Sequence, residues 1–306
     1  MKVRTLTLVI GFFLLSPASR AQTRADLERR ILDYARDGGG RIGVAAKNLR
    51  TGEIVALNAD SLFPTASVIK LPILVELFAQ AEQRAGLLQM PIPLYDSLKK
   101  PSDGILRLLH EGQSLQLIDI ATLMIVLSDN TATNYVIDQL GSTHDEKLDA
   151  VNRTMQSLGL QHTRLLNKLY SWSTKKKTEE ARRFGIGVSC PSDMIVLLEK
   201  LAEGKAVTKN ASDSMIAILR NQQDVSKAAR LLPFTEDTTL WIANKTGTLD
   251  DVKNDVGIVS CSRGTFVYAI FYDGARDAGE QVDNSATLAV ARVSRVLFDY
   301  FTSDGK

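Results

Sequence analysis

The sequence predicts an α/β chain of the α+β kind. Both termini contribute to one antiparallel sheet flanked by helices, and the middle forms an all-helical subdomain. Three observations carry this reading. In the head, Ile42, Val44 and Ala46 alternate with other residues before Arg50-Thr51-Gly52 turns the chain into a second short strand, Ile54 to Leu57. In the tail, Val256 to Ser260 and Phe266 to Tyr272 read as strands. Between them, from about Val68 to Gln223, apolar positions follow helical spacing and strand signals are scarce. The expected layout is a sheet subdomain over 22–66 and 224–306, a helical subdomain over 67–223, and a cleft between them where a ligand would sit.

The elements follow in order. Lys2 and Arg4 precede an apolar run from Leu6 to Leu15, and Ser19-Arg20-Ala21 offers the small residues a signal peptidase reads. Residues 1–21 therefore read as a signal peptide cleaved after Ala21. The run stops at Ser16-Pro17, well short of the roughly 20 apolar residues a membrane span needs. Leu27, Ile31, Leu32 and Ala35 then mark a helix that Gly38-Gly39-Gly40 ends, and Ala286 to Phe301 marks a closing helix begun by Asn284 or Ser285.

Composition narrows the function classes. Thirty-seven basic against 35 acidic residues leave a net charge of +2, which argues against a nucleic-acid partner, and 44% hydrophobic residues suit an ordinary globular core. After the signal peptide no long apolar run remains, so the mature chain from Gln22 is expected to be a periplasmic or secreted monomer with no membrane span. Cys190 and Cys261 are too few for a disulfide framework, and the sequence leaves their pairing open. His110, His144 and His162 lack ligand spacing, so neither metal nor cofactor is expected.

Ser-x-x-Lys recurs along the chain, at Ser67 with Lys70, at Ser97 with Lys100 and at Ser173 with Lys176 among other places. Only the first opens an apolar helix, Val68 to Phe78, whose first turn puts Ser67 and Lys70 on one face about 5–6 Å apart at Cβ. A serine hydroxyl needs a neighbouring base to become a nucleophile, and a lysine serves when burial and nearby positive charge lower its pKa. A helix start also supplies free N–H groups for a developing oxyanion. By itself the pair reads more readily as a helix cap beside a surface lysine.

Ser128-Asp129-Asn130 lies in a tight connection between the helix Leu117 to Leu127 and a second helix closed by Gly141. There a hydroxyl can relay a proton and an amide can hold a carbonyl. Trp241 to Thr248 reads as an edge strand in which Lys245 and Thr246 offer a seat for a carboxylate and Gly247 lets a substrate lie against the backbone. Each triplet alone is commonplace. In this order, on a helix start, a loop and a strand, they make an active site.

With these three motifs the mature chain resembles class A β-lactamases and penicillin-binding proteins. The likeness extends to Gly52-Glu53, Leu57 to Asp60, Phe63-Pro64 and Leu127 to Asn134. It implies that Ser67 is the nucleophile, Lys70 its base, Ser128 the proton relay and Asn130 a substrate ligand. It further implies that Lys245 and Thr246, beside Gly247, hold the substrate carboxylate. The N–H groups of Ser67 and Thr248 would form the oxyanion hole, and Asn134 would prop the neighbouring loop. No arginine clearly assists Lys245; Lys253 is the candidate.

In that loop the likeness fails. Class A β-lactamases carry a glutamate there that activates the deacylating water. Counting forward from Arg164 reaches Leu169, counting back from Pro191 reaches Thr174, and no carboxylate lies between them. The loop also holds Lys175-Lys176-Lys177 and Arg182-Arg183, read as a solvated basic surface, and its nearest acids are Glu179 and Glu180. Three functions stay open. One is a β-lactamase with an atypical or slow deacylation step. Another is a D-Ala-D-Ala peptidase or transpeptidase for which a β-lactam is a trap. The third, a non-catalytic β-lactam sensor, would need a membrane coupling that the mature sequence does not supply.

Overall fold

The computed structural model describes residues 23–101, 104–171, 174–279, 281 and 283–303. The signal-peptide reading of 1–21 lies outside the described residues. Helix α1 (Arg24–Gly38) starts at Thr23, whose hydroxyl accepts the Asp26 N–H, and ends at Gly39 in the left-handed region. The strands β1 (Arg41–Asn48) and β2 (Ile54–Leu57) form the expected hairpin. A two-residue strand β3 (Phe63–Pro64) and a 3₁₀ turn (Ala66–Ile69) then lead into α2 (Lys70–Ala81).

The middle holds α2, α3 (Leu117–Val126), α4 (Asn130–Asp138), α5 (His144–Ser157), α6 (Glu179–Phe184), α7 (Pro191–Ala202) and α8 (Lys209–Leu219). It also holds short strands that the sequence pattern does not reveal. These are the pair β4 (Pro91–Pro93) and β5 (Ser114–Gln116), and the sheet that β3 builds with β6 (Arg164–Leu165) and β7 (Gly187–Ser189). Two or three residues are too few for a period-two pattern to register. The inserted block is therefore mainly, not wholly, helical.

The chain returns through β8 (Trp241–Thr248), β9 (Lys253–Cys261) and β10 (Gly264–Asp273) to α9 (Ser285–Thr302), capped by Asn284 through the Ala286 and Thr287 N–H groups. The main sheet runs β2-β1-β10-β9-β8 with antiparallel neighbours, so β8 is an edge strand. Alternation sorts its side chains. Val44, Ala46, Tyr268 and Ile270 join α1 and α9 on one face, while Ala45, Val267, Ala269 and Phe271 join the helical block on the other.

Helix α2 runs through the larger core and is buried without a break from Lys70 to Phe78, so its apolar surface extends all round. Just before it, Phe63 packs on Phe271 with ring centroids 5.7 Å apart and lies under the Arg41 guanidinium. Cutting Phe63 to alanine would cost about 3–5 kcal/mol and loosen the segment that delivers Ser67. Cys190 is buried and Cys261 half-buried, and both are free thiols. Burial pushes the Cys190 thiol up to about 11. Among the described residues no helix is long and apolar enough to cross a membrane.

Candidate active site

Ser67 sits in the 3₁₀ turn where the sheet meets the helical block. Ala66 before it has φ +46°, a left-handed conformation costing an L-residue about 1–3 kcal/mol. Neighbours hold the turn in place. The Thr65 N–H donates to the Gly187 carbonyl at 3.0 Å, and the Asn254 amide donates to the carbonyls of Pro64 at 2.9 Å and Thr65 at 3.1 Å. Strand β8 presses on the other side. A Cβ on Gly247 would fall 2.7 Å from the Thr65 oxygen and 3.2 Å from the Ser67 nitrogen. Gly247 is thus needed for the Ser67 turn to approach, a reason different from the substrate contact the sequence suggests.

Lys70 is fully buried on the first turn of α2. Its Nζ donates to Ser128 O at 2.6 Å, to Asn130 Oδ1 at 2.8 Å and to Ser128 Oγ at 3.1 Å. Lys245, equally buried, reaches the same hydroxyl from β8 at 3.2 Å and donates to the Thr246 carbonyl at 2.8 Å. With two lysine Nζ groups on the Ser128 oxygen, the hydroxyl's own proton points in a third direction. Ser128 itself is left-handed at φ +55°. Asp129 anchors it: one carboxylate oxygen caps α4 through the Ala132 N–H and the other accepts the Leu106 N–H, each at 2.8 Å.

Ser67, Ser128, Thr246 and Thr248 line one cleft of about 460 Å³. The candidate Lys253 lines it too, buried, with its Nζ on the carbonyls of Leu249 at 3.0 Å and Asp250 at 3.2 Å. Two charged lining residues were not legible in the sequence. Lys227 is buried and donates to Asp224 at 2.7 Å. Burial works to raise the Asp224 carboxyl, but the Lys227 charge and hydrogen bonds from Lys227 and Ser226 outweigh it and hold it below the ordinary range. Both lie in an irregular segment ahead of β8 with no motif to flag them.

The neighbouring loop hangs on Asn134, which is buried in α4 and holds Leu169 by hydrogen bonds in both directions. Tyr170, next in the chain, is left-handed at φ +49°. Asn167 ties the loop further, donating to Gly185 O and accepting the Lys176 N–H, both at 2.8 Å. Glu180 pairs with Arg164, and Glu179 is exposed on the first turn of α6. Among the described residues lining the cleft the one carboxylate is Asp224, and none of the loop's lysines or arginines is there. Of the rival serines, Ser97 is exposed and Ser173 lies outside the described residues.

The Ser67 turn, a lysine-bracketed serine loop and a lysine-bearing edge strand thus share one cleft. The profile of the beta-lactamase enzyme family matches residues 26–301. The chain belongs to that family. Among relatives of this beta-lactamase-family chain, the beta-lactamase of Streptomyces albus G is 28% identical over 280 residues, covering 87% of this chain and 84% of its own. The match to beta-lactamase Toho-2 of Escherichia coli, at 29% identity, spans only 45% of that relative's length. The solved beta-lactamase of Sphaerobacter thermophilus DSM 20745 superposes with TM-score 0.78 at 29% identity, covering 91% of this chain and 98% of its own. PBP-A superposes with TM-score 0.76 at 26% identity, covering 90% and 96%, and a leucine-to-glutamate variant of it is known as an acyl-enzyme with penicillin G.

Proposed function

We propose that this chain is an active-site-serine hydrolase that opens the β-lactam amide through an acyl-serine at Ser67 and releases the acyl group slowly. The observation supporting it is the Ser128 hydroxyl, bracketed by Lys70 at 3.1 Å and Lys245 at 3.2 Å in the cleft that Ser67 lines. On this reading Lys70 takes the Ser67 proton and Oγ attacks the lactam carbonyl. The N–H groups of Ser67 and Thr248 receive the oxyanion, and Asn130 steadies the substrate amide. As the C–N bond breaks, Ser128 gives its proton to the departing nitrogen and takes one from Lys70, 3.1 Å away, which returns Lys70 to the neutral amine. Lys245 and Thr246 hold the substrate carboxylate.

Deacylation needs a base for water, and the loop offers no carboxylate from Leu169 to Thr174, where the family's glutamate is expected. Lack of that base removes something like the 10²- to 10⁴-fold that general-base catalysis contributes. This favours a second reading, a D-Ala-D-Ala peptidase acting on cell-wall peptide, for which a β-lactam is a trap. The pairing of Glu180 with Arg164 and the likeness to PBP-A support it. On either reading residues 1–21 are a cleaved signal peptide, and the enzyme works as a monomer in the periplasm or outside the cell.

The test is intact mass against time after mixing with a small excess of benzylpenicillin. A penicilloyl adduct lasting minutes or longer is expected, and Ser67→Ala should abolish it. An adduct that clears within seconds would replace slow release with efficient β-lactamase turnover. Labelling that survived in Ser67→Ala would remove Ser67 as the nucleophile.

A further inference from the structure

Asp255 lies on β9 directly across from Thr246, on the sheet face that packs against α1 and α9, and is completely buried. Three elements converge on its carboxylate. From β8, the Asn244 amide donates at 3.0 and 3.2 Å. From β10, the Tyr268 hydroxyl donates at 2.9 Å. From the irregular segment ahead of β8, the Ala228 N–H donates at 3.0 Å. Asn244 precedes Lys245 and Ala228 follows Lys227, so one carboxylate ties the residue before Lys245 to the residue after Lys227.

We infer that Asp255 is a positioning residue for the carboxylate end of the cleft, holding the Lys227 segment against the strand of Lys245 and Thr246 so that these cations meet one substrate anion. The inference rests on the acyl-serine reading above. Its physical basis is the donor count. A carboxylate accepts at both oxygens, whereas an amide in its place would accept at one and set an NH₂ group against the converging donors. The chain also keeps this charge at a cost. Burial pushes the Asp255 carboxyl up to about 6, although hydrogen bonds from Asn244, Ala228 and Tyr268 and the Lys227 charge pull the other way. A residue serving only as filler would be better neutral.

The experiment compares acylation rate constants for benzylpenicillin and for its methyl ester, whose carboxylate is masked, in the wild type and Asp255→Asn. The melting temperature of each protein is measured alongside. The expected result is a loss of roughly 5- to 50-fold with the acid, carried by binding and not by the acylation step. The ester should change less than twofold. In a Lys227→Ala background the same substitution should bring no further loss of acid-over-ester preference. Equal losses for acid and ester, or no loss for either, would overturn the inference. A wild type that takes no penicilloyl label at all would instead overturn the acyl-serine reading.

Discussion

Asn134 and Leu169 hold each other through both ends of an amide. The Asn134 Nδ2 donates to the Leu169 carbonyl at 2.7 Å, and its Oδ1 accepts the Leu169 N–H at 3.1 Å. Helix α4 thereby holds the loop beside the cleft at Leu169, and Asp138 at its other end accepts from the preceding Lys168 at 2.7 Å. Asn134→Ala leaves a buried N–H and a buried carbonyl without those partners, at a cost of about 2–4 kcal/mol. Denaturant unfolding should report that loss, and limited proteolysis should cut faster between residues 165 and 178. Unchanged cleavage there would mean that other contacts set the loop.

Because Asn134 grips the backbone of Leu169, the side chain at 169 can be exchanged without removing the anchor. Leu169→Glu should supply the missing base and shorten the penicilloyl lifetime by at least about 10²-fold. The time course of adduct mass reads this directly. A lifetime that stays the same would show that residue 169 does not face the ester.

Gly247→Ala drives a methyl group into the Thr65 oxygen, 2.7 Å from its Cβ position, and must part β8 from the Ser67 turn. Misplacing reacting groups by about 1 Å can cost about 10²-fold in rate. Acylation by benzylpenicillin should fall by about that factor while the circular dichroism spectrum stays folded. Acylation at the wild-type rate would mean that the turn adjusts without loss.

Asp255 should make stability fall as pH rises. Its carboxyl has an ordinary value of 3.8 and sits at about 6 in the folded protein because it is buried. Between those values the folded chain keeps a proton that the unfolded chain has lost. Stability then declines as pH climbs through that window and stays lower above it. The shift corresponds to about 3 kcal/mol at neutral pH. Melting curves from pH 4 to 7.5 should show the wild type losing ground to Asp255→Asn, and parallel curves would contradict it.

The order of elements was legible in the sequence because it rests on local physics. Apolar spacing at Leu27, Ile31 and Ala35 predicts α1, alternation at Val44 and Ala46 predicts β1, and Asn284 announces α9 by capping chemistry. The three motifs were legible too, since each is a short run of residues on one turn or strand. So was the missing carboxylate, because absence from a segment is a property of the chain alone. The two- and three-residue strands escaped notice, being shorter than the period that would reveal them.

By itself, then, the sequence determined which residues could do the chemistry and which acid the loop lacks. Tertiary structure alone decided that Lys70 and Lys245, 58 residues before and 117 after Ser128, would meet on one hydroxyl. It likewise decided that Glu180 goes to Arg164, that Lys227 and Asp224 enter the cleft, and that Asp255 joins three elements from behind the sheet. The physical reason is range. Propensity and capping act over a few neighbouring residues, whereas these contacts form only when packing of the two cores brings distant segments together.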